Sequence, residues 1–176
     1  MPAHHVAQMA RARVWRRPRV GLLFAALSGI VAVLAFSACT VEALAAGQTY
    51  AGVNAIRAER GQPPLTPDGD LANIARIRAQ DMAARGYFSH DPPDGCNYAC
   101  LLDNLGVQHA YAGENIAWNT WDWKQTVGVA LQMWRNSPPH LENILNCHYT
   151  RFGAAVAKGS DGRVYFTMIF EGAASC

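Results

Sequence analysis

Charge is scarce in this sequence, and its distribution says more than its total. Asp, Glu, Lys and Arg make up 16% of the residues and apolar types 51%, which excludes an intrinsically disordered chain. No charged residue occurs from Val20 to Phe36. Five of the 15 Lys+Arg (Arg11, Arg13, Arg16, Arg17 and Arg19) stand just before that run. A basic stretch, an apolar run and then small residues form the pattern of an export signal. At 17 residues the run is short of the ~20 that a spanning helix needs, so an uncleaved anchor is the weaker alternative. Ala43-Leu44-Ala45 offers a small-x-small cleavage site, giving residues 1–45 as the signal peptide and 46–176 as the domain. Phe36-Ser37-Ala38-Cys39 resembles a lipobox, in which Cys39 would be acylated. Phe36 stands where that box carries an aliphatic residue, so the lipid anchor is the second reading.

The domain also lacks a positive surplus. Without residues 1–45, ten Lys+Arg face twelve Asp+Glu, a net charge of −2. Such a balance has no electrostatic footprint for nucleic acid, and the only membrane attachment expected is through the signal segment or Cys39. Repeats, low-complexity linkers, a Cys-x-x-Cys pair, a His-Glu-x-x-His helix and a nucleophile elbow are all missing from 46–176. Four cysteines remain: Cys96, Cys100, Cys147 and Cys176. An even number in a small exported domain points to two disulfides rather than a zinc cluster. Of three pairings, Cys96–Cys100 and Cys147–Cys176 are expected, because the first spans a short turn and the second pins the last residue.

What is present is periodic. Val53 and Ile56 sit at helical spacing in a segment from Tyr50 to Arg60 that stops at Gly61. Leu71, Ile74, Ala75 and Met82 line one face of a helix expected from Asp68 to Gly86, with Arg76, Asp81 and Arg85 pointing elsewhere. Residues 89–113 read as loop, with a short helix near Ala99 to Leu105. A third helix is expected from Asp122, with Val127, Leu131 and Trp134 buried, ending at Pro138-Pro139. Beyond it the period becomes two. Gly153 to Ala157 reads as a strand, Gly159-Ser160-Asp161-Gly162 as a turn, and Val164 to Phe170 as the returning strand. Helices first and a hairpin last predict an α+β fold.

Three stretches place polar side chains among aromatics: Tyr87-Phe88-Ser89-His90-Asp91, Gly113-Glu114-Asn115-Ile116-Ala117-Trp118, and Trp134-Arg135-Asn136-Ser137-Pro138-Pro139-His140-Leu141-Glu142-Asn143-Ile144-Leu145. Their order and spacing resemble the bacterial branch of the CAP superfamily, the cysteine-rich secretory and venom-antigen proteins. Val53-Asn54-x-x-Arg57 and Thr150-x-x-Gly153 extend the likeness over roughly residues 49–171. The resemblance implies a three-layer α-β-α sandwich with a small, mostly antiparallel sheet. It also implies a cleft receiving His90, Glu114 and His140. Eukaryotic members carry a second Glu three residues after the tryptophan, where this chain has Ser137.

Two imidazoles are good ligands for zinc or another divalent ion, and a carboxylate can complete such a site or fix one imidazole's tautomer. His90 and His140 are therefore the candidate metal ligands, with Glu114, Ser137 and Asn115 as cleft residues. Each has a plainer reading: His90 bracing a turn, Glu114 binding backbone amides, Asn115 and Asn143 bonding backbone. His148, in Cys147-His148-Tyr149-Thr150, rivals His140, but Asn143-Ile144-Leu145 fits the bacterial spacing better after His140. His109 reads as an exposed loop residue. Trp118, Trp121 and Trp123 either line a groove or pack on the sheet. The expected role is an extracytoplasmic binding module for a divalent metal or for a lipid-like, glycan or protein ligand. The alternative is a metal-dependent hydrolase using His90, His140 and Glu114. A catalytic Ser137–His140 pair lacks a third member and an oxyanion motif.

Overall fold

A computed structural model describes residues 41–173 and 175–176 of the chain. Most of the expected signal segment, with Cys39, lies outside these residues. Five residues of that segment, 41–45, belong to the first helix, α1, which runs through residues 41–59. Ala45 is buried in the core, its carbonyl accepts from the Thr49 hydroxyl, and the Glu42 carboxylate accepts from the Lys158 amide at 3.1 Å. The helix thus starts well before Tyr50, because alanines 43, 45 and 46 favour helix and Ala45 has a core position to fill.

The remaining elements are β1 (Thr66–Pro67), α2 (Gly69–Arg85), α3 (Tyr98–Asn104), β2 (Tyr111–Asn119), α4 (Thr126–Arg135), α5 (Pro138–Leu145), β3 (Arg151–Lys158) and β4 (Val164–Gly172). The four strands form one sheet in the order β1-β3-β4-β2. Only the two-residue β1 runs parallel to its neighbour; β3–β4 and β4–β2 are antiparallel. Along β4 the side chains alternate between two cores. Val164, Phe166, Met168 and Phe170 meet Val53 and Ile56 of α1, Val127, Ala130 and Trp134 of α4 and Ile144 of α5. Tyr165 and Ile169 meet Leu71, Ile74, Ala75, Ala79 and Met82 of α2 and Leu102 of α3. The expected three layers, α-β-α, are present. Among the described residues no helix is long and apolar enough to cross a membrane.

α2 follows its sequence signals. Asp68 is the N-cap, its carboxylate accepting from the Asp70 and Leu71 amides, and Gly86 ends the helix at φ 68°. Gly153 of β3 lies against its first turn, where a Cβ would fall 2.0 Å from the Leu71 carbonyl carbon. Both expected disulfides, Cys96–Cys100 and Cys147–Cys176, are formed.

Two expectations fail. The third helix starts later than expected and a further helix follows it: Asp122 caps a turn by accepting from the Lys124 and Gln125 amides, α4 runs from Thr126 to Arg135, and Pro138-Pro139, expected only as a stop, opens α5. Proline suits the first turn of a helix because amides there have no intrahelical partner to lose. The second failure is β2, of which the loop expected at 89–113 takes in the first three residues and for which no strand is expected; it is the outer strand of the sheet, buried on both faces from Gly113 to Ala117.

Candidate functional site

The edge strand β2 is the key to the site. Consecutive strand residues face opposite sides of the sheet, so Glu114 points into the α2 layer and Asn115 into the α4–α5 layer. Each fixes one histidine. The Glu114 Oε2 lies 2.7 Å from His90 Nδ1. Asn115 donates to the His140 carbonyl at 2.9 Å and accepts from Asn143 Nδ2, also at 2.9 Å. Trp134 Nε1 donates to the Ile116 carbonyl at 3.1 Å, closing α4 onto the same edge. His90 and His140 are therefore anchored to adjacent residues of β2, one from each layer of the sandwich.

Glu114 is held by a residue that the sequence reading passed over. Its side chain is fully buried, and Arg78 of α2, buried with it, donates from Nε to Glu114 Oε1 at 2.9 Å. Arg78 also donates to the Tyr87 hydroxyl at 3.0 Å and to the carbonyls of Ser89 and His90 at 2.7 and 3.0 Å. One guanidinium thus folds the 87–90 segment around itself and sets the carboxylate behind the imidazole. Burial works against the Arg78 charge, but the hydrogen bond and field of Glu114 outweigh it and hold its proton more tightly than usual. A signal existed in the sequence: Arg78 sits at helical spacing on the apolar face with Leu71, Ile74, Ala75 and Met82.

The anchoring decides which nitrogen each imidazole presents. A carboxylate paired with Arg78 only accepts, so His90 Nδ1 is the donor and Nε2 is the nitrogen left for a ligand. His140 Nδ1 lies 2.7 Å from the Ser137 hydroxyl. Ser137 occupies the N-cap position of α5 without capping it: Pro139 has no N–H to offer, and the hydroxyl lies against the His140 ring rather than the His140 amide. Burial lowers the His140 pKa, and the nearby His90 lowers it further, so this imidazole is neutral at neutral pH.

Both histidines line a cavity of about 550 Å³. Phe88, Ile116, Ala117, Trp118, Met133 and Trp134 give it apolar walls; Ser89, His90, Asp91, Ser137 and His140 form its polar end. Phe88 and Met133 are 42% and 44% exposed at the rim, and Phe88 meets Trp118 edge-on at 6.5 Å. Arg163 lies over the Trp118 ring, 4.2 Å from its centre. Trp118 is thus the groove tryptophan. Trp123 packs against the core and Trp121 is exposed. Phe88 belongs to one of the three stretches the sequence singles out, whereas Met133 carries no sequence signal, because its place in the cavity wall is tertiary.

The ligand atoms of His90, Glu114 and His140 do not all lie within 4.8 Å of one another. Among the described residues, one group of three His, Cys, Asp or Glu has all its ligand atoms within 4.8 Å: Cys147, His148 and Cys176. Of the other candidates, Asn143 braces Asn115, His109 Nδ1 lies 3.0 Å from the Val107 carbonyl, and His148 stacks on Tyr111 at 3.9 Å.

Comparison with known proteins bears on the family and the fold. The family model for the cysteine-rich secretory protein family (CAP) covers residues 50–170. Bacillus subtilis (strain 168) YkwD is 35% identical over 108 residues, 61% of this chain and 40% of that protein. The chain spans well under half the length of this curated relative. An extracellular SCP-domain protein from Bacillus anthracis is 32% identical, with a TM-score of 0.64 over 74% of this chain and 41% of the other. An outer surface protein of Borrelia burgdorferi shares the fold at 18% identity, with a TM-score of 0.62 over 71% and 90% of the two chains.

Proposed function

Because the chain belongs to the cysteine-rich secretory protein (CAP) family, we propose that it is an extracytoplasmic binding module whose cleft captures an amphiphilic envelope ligand. The observation that carries this reading is the pairing of an apolar wall with two imidazoles anchored through Nδ1. Phe88, Trp118 and Met133 offer the ligand's apolar part a dry surface, and His90 and His140 take its polar head. A divalent ion, if bound, is held by His90 and His140 and supplies positive charge for an anionic head. The basic and apolar leader, together with relatives that are extracellular or outer-surface proteins, supports a place outside the cytoplasm.

The hydrolase alternative needs Glu114 to take a proton from water. Both of its oxygens are already engaged, one by Arg78 and one by His90, in a fully buried side chain. That arrangement favours a positioning role, in which Glu114 orients His90 as carboxylates orient metal-ligating histidines elsewhere.

Anilinonaphthalene sulfonate, an apolar double ring with an anionic head, is a suitable probe. Fluorescence titration of the purified protein, with and without zinc, should show one site, weakened about tenfold or more by Trp118→Ala and by His140→Gln. Equal affinity in the wild type and both variants would overturn the reading.

A further inference from the structure

We propose that Cys147, His148 and Cys176 form a second, redox-gated metal centre, closed while the disulfide is intact and able to take a zinc-class ion once it is reduced. It lies apart from the cleft, by the start of β2, and is independent of the cleft's function. The two sulfurs and a ring nitrogen of His148 lie within 4.8 Å of one another. Tetrahedral zinc with bonds of about 2.3 Å to sulfur and 2.0 Å to nitrogen needs its ligand atoms only about 3.5–3.8 Å apart. Opening one S–S bond and moving the sulfurs apart by less than a bond length or two meets that requirement.

The surroundings hold the ligands together without the disulfide. His148 is turned by its own amide donating to Asn146 Oδ1 at 2.9 Å, and its ring lies flat on Tyr111, 10° from parallel. β4, which leads into the tail bearing Cys176, ends directly under this turn. A Cβ on Gly172 would fall 2.1 Å from the His148 carbonyl oxygen, and the Thr150 amide donates to the Glu171 carbonyl at 3.0 Å. The tail therefore departs from beside His148 in either redox state. Cys147 and Cys176 are both exposed, so an external dithiol can reach the bond, which is the property of reducible disulfides.

The chemistry balances. An external dithiol gives two electrons and two protons to the pair, leaving two thiols and its own disulfide. Binding of the ion then releases both protons as the thiolates ligate, with neutral His148 as third ligand and a fourth position open. Zinc occupancy would in turn block reoxidation.

Cobalt(II) titration of the purified protein tests this, because thiolate ligation gives a charge-transfer band. The oxidised protein should show none, and the reduced protein one equivalent. Cys176→Ser should abolish the band, His148→Ala should weaken binding by about tenfold or more, and Cys96→Ser/Cys100→Ser should leave it unchanged. Thermal melting of each reduced, metal-free variant separates lost ligation from lost folding. A band that survives Cys176→Ser, that disappears with Cys96→Ser/Cys100→Ser, or that never forms in the folded reduced protein would overturn the proposal.

Discussion

Two arginines, Arg57 in α1 and Arg78 in α2, are buried almost completely, at 0% and 1% exposure, on opposite faces of the same sheet. They answer the cost of a buried charge differently. Arg57 donates only to carbonyls, those of Pro63, Ile144 and Asn146 at 2.7, 2.7 and 3.0 Å. Its Nη2 has no partner, and burial loosens its hold on the proton. Arg78 has a carboxylate, and its charge is balanced by Glu114. The first is a splint that ties the 62–65 turn and the end of α5 to α1. The second passes position through Glu114 to His90 and so builds the cleft.

Removing each should separate the two roles. Arg78→Met strands the Glu114 carboxylate in the interior, which costs about 3–5 kcal/mol in urea unfolding. It should also abolish dye binding. Arg78→Met/Glu114→Gln should regain part of that stability but not the binding; a double variant no more stable than the sum of its parts would show the pair to be uncoupled. Arg57→Met leaves three carbonyls short of a donor, a loss of about 2–3 kcal/mol in the same unfolding assay. Dye affinity should stay at the wild-type level, and a loss there would break the contrast between splint and cleft.

The smallest expected effect is on pH dependence and sharpens the cleft side of the comparison. The His140 pKa is lower in the folded protein than in the unfolded chain, first by burial and then by His90. As pH falls below the unfolded value of about 6.5, the unfolded chain takes up the proton first and is favoured. Stability should therefore decline as pH drops from about 7 through the folded value, and stay level above 7 as far as this group is concerned. Urea midpoints at stepped pH should show the slope flattened in His140→Gln; an unchanged slope would remove His140 as its source.

Much of this was legible from period and end signals. Asp68 and Gly86 bracket α2 as read, and the alternation from Val164 to Phe170 marks β4 with its turn at 159–162. β2 escaped because both of its faces are buried, so Gly-Glu-Asn-Ile-Ala shows no polar-apolar alternation to read. α5 escaped because a proline pair marks a helix start as well as a stop. The histidines of the site stood out as residue types among aromatics. The partners that orient them did not: Arg78 lies in α2, and the Ser137 hydroxyl could as well have capped α5 through the His140 amide as met the His140 ring.

The close approach at Gly153 has a mechanical consequence. With no side chain between β3 and the first turn of α2, strand and helix behave as one plate, and Arg78 fastens the His90 segment to that plate. The far end of α5 is tied down by Arg57, while its near end, Ser137, lacks a side-chain cap. The two jaws of the cleft are thus fastened differently, the His90 side by one buried guanidinium and the His140 side by the Asn115 amide of β2.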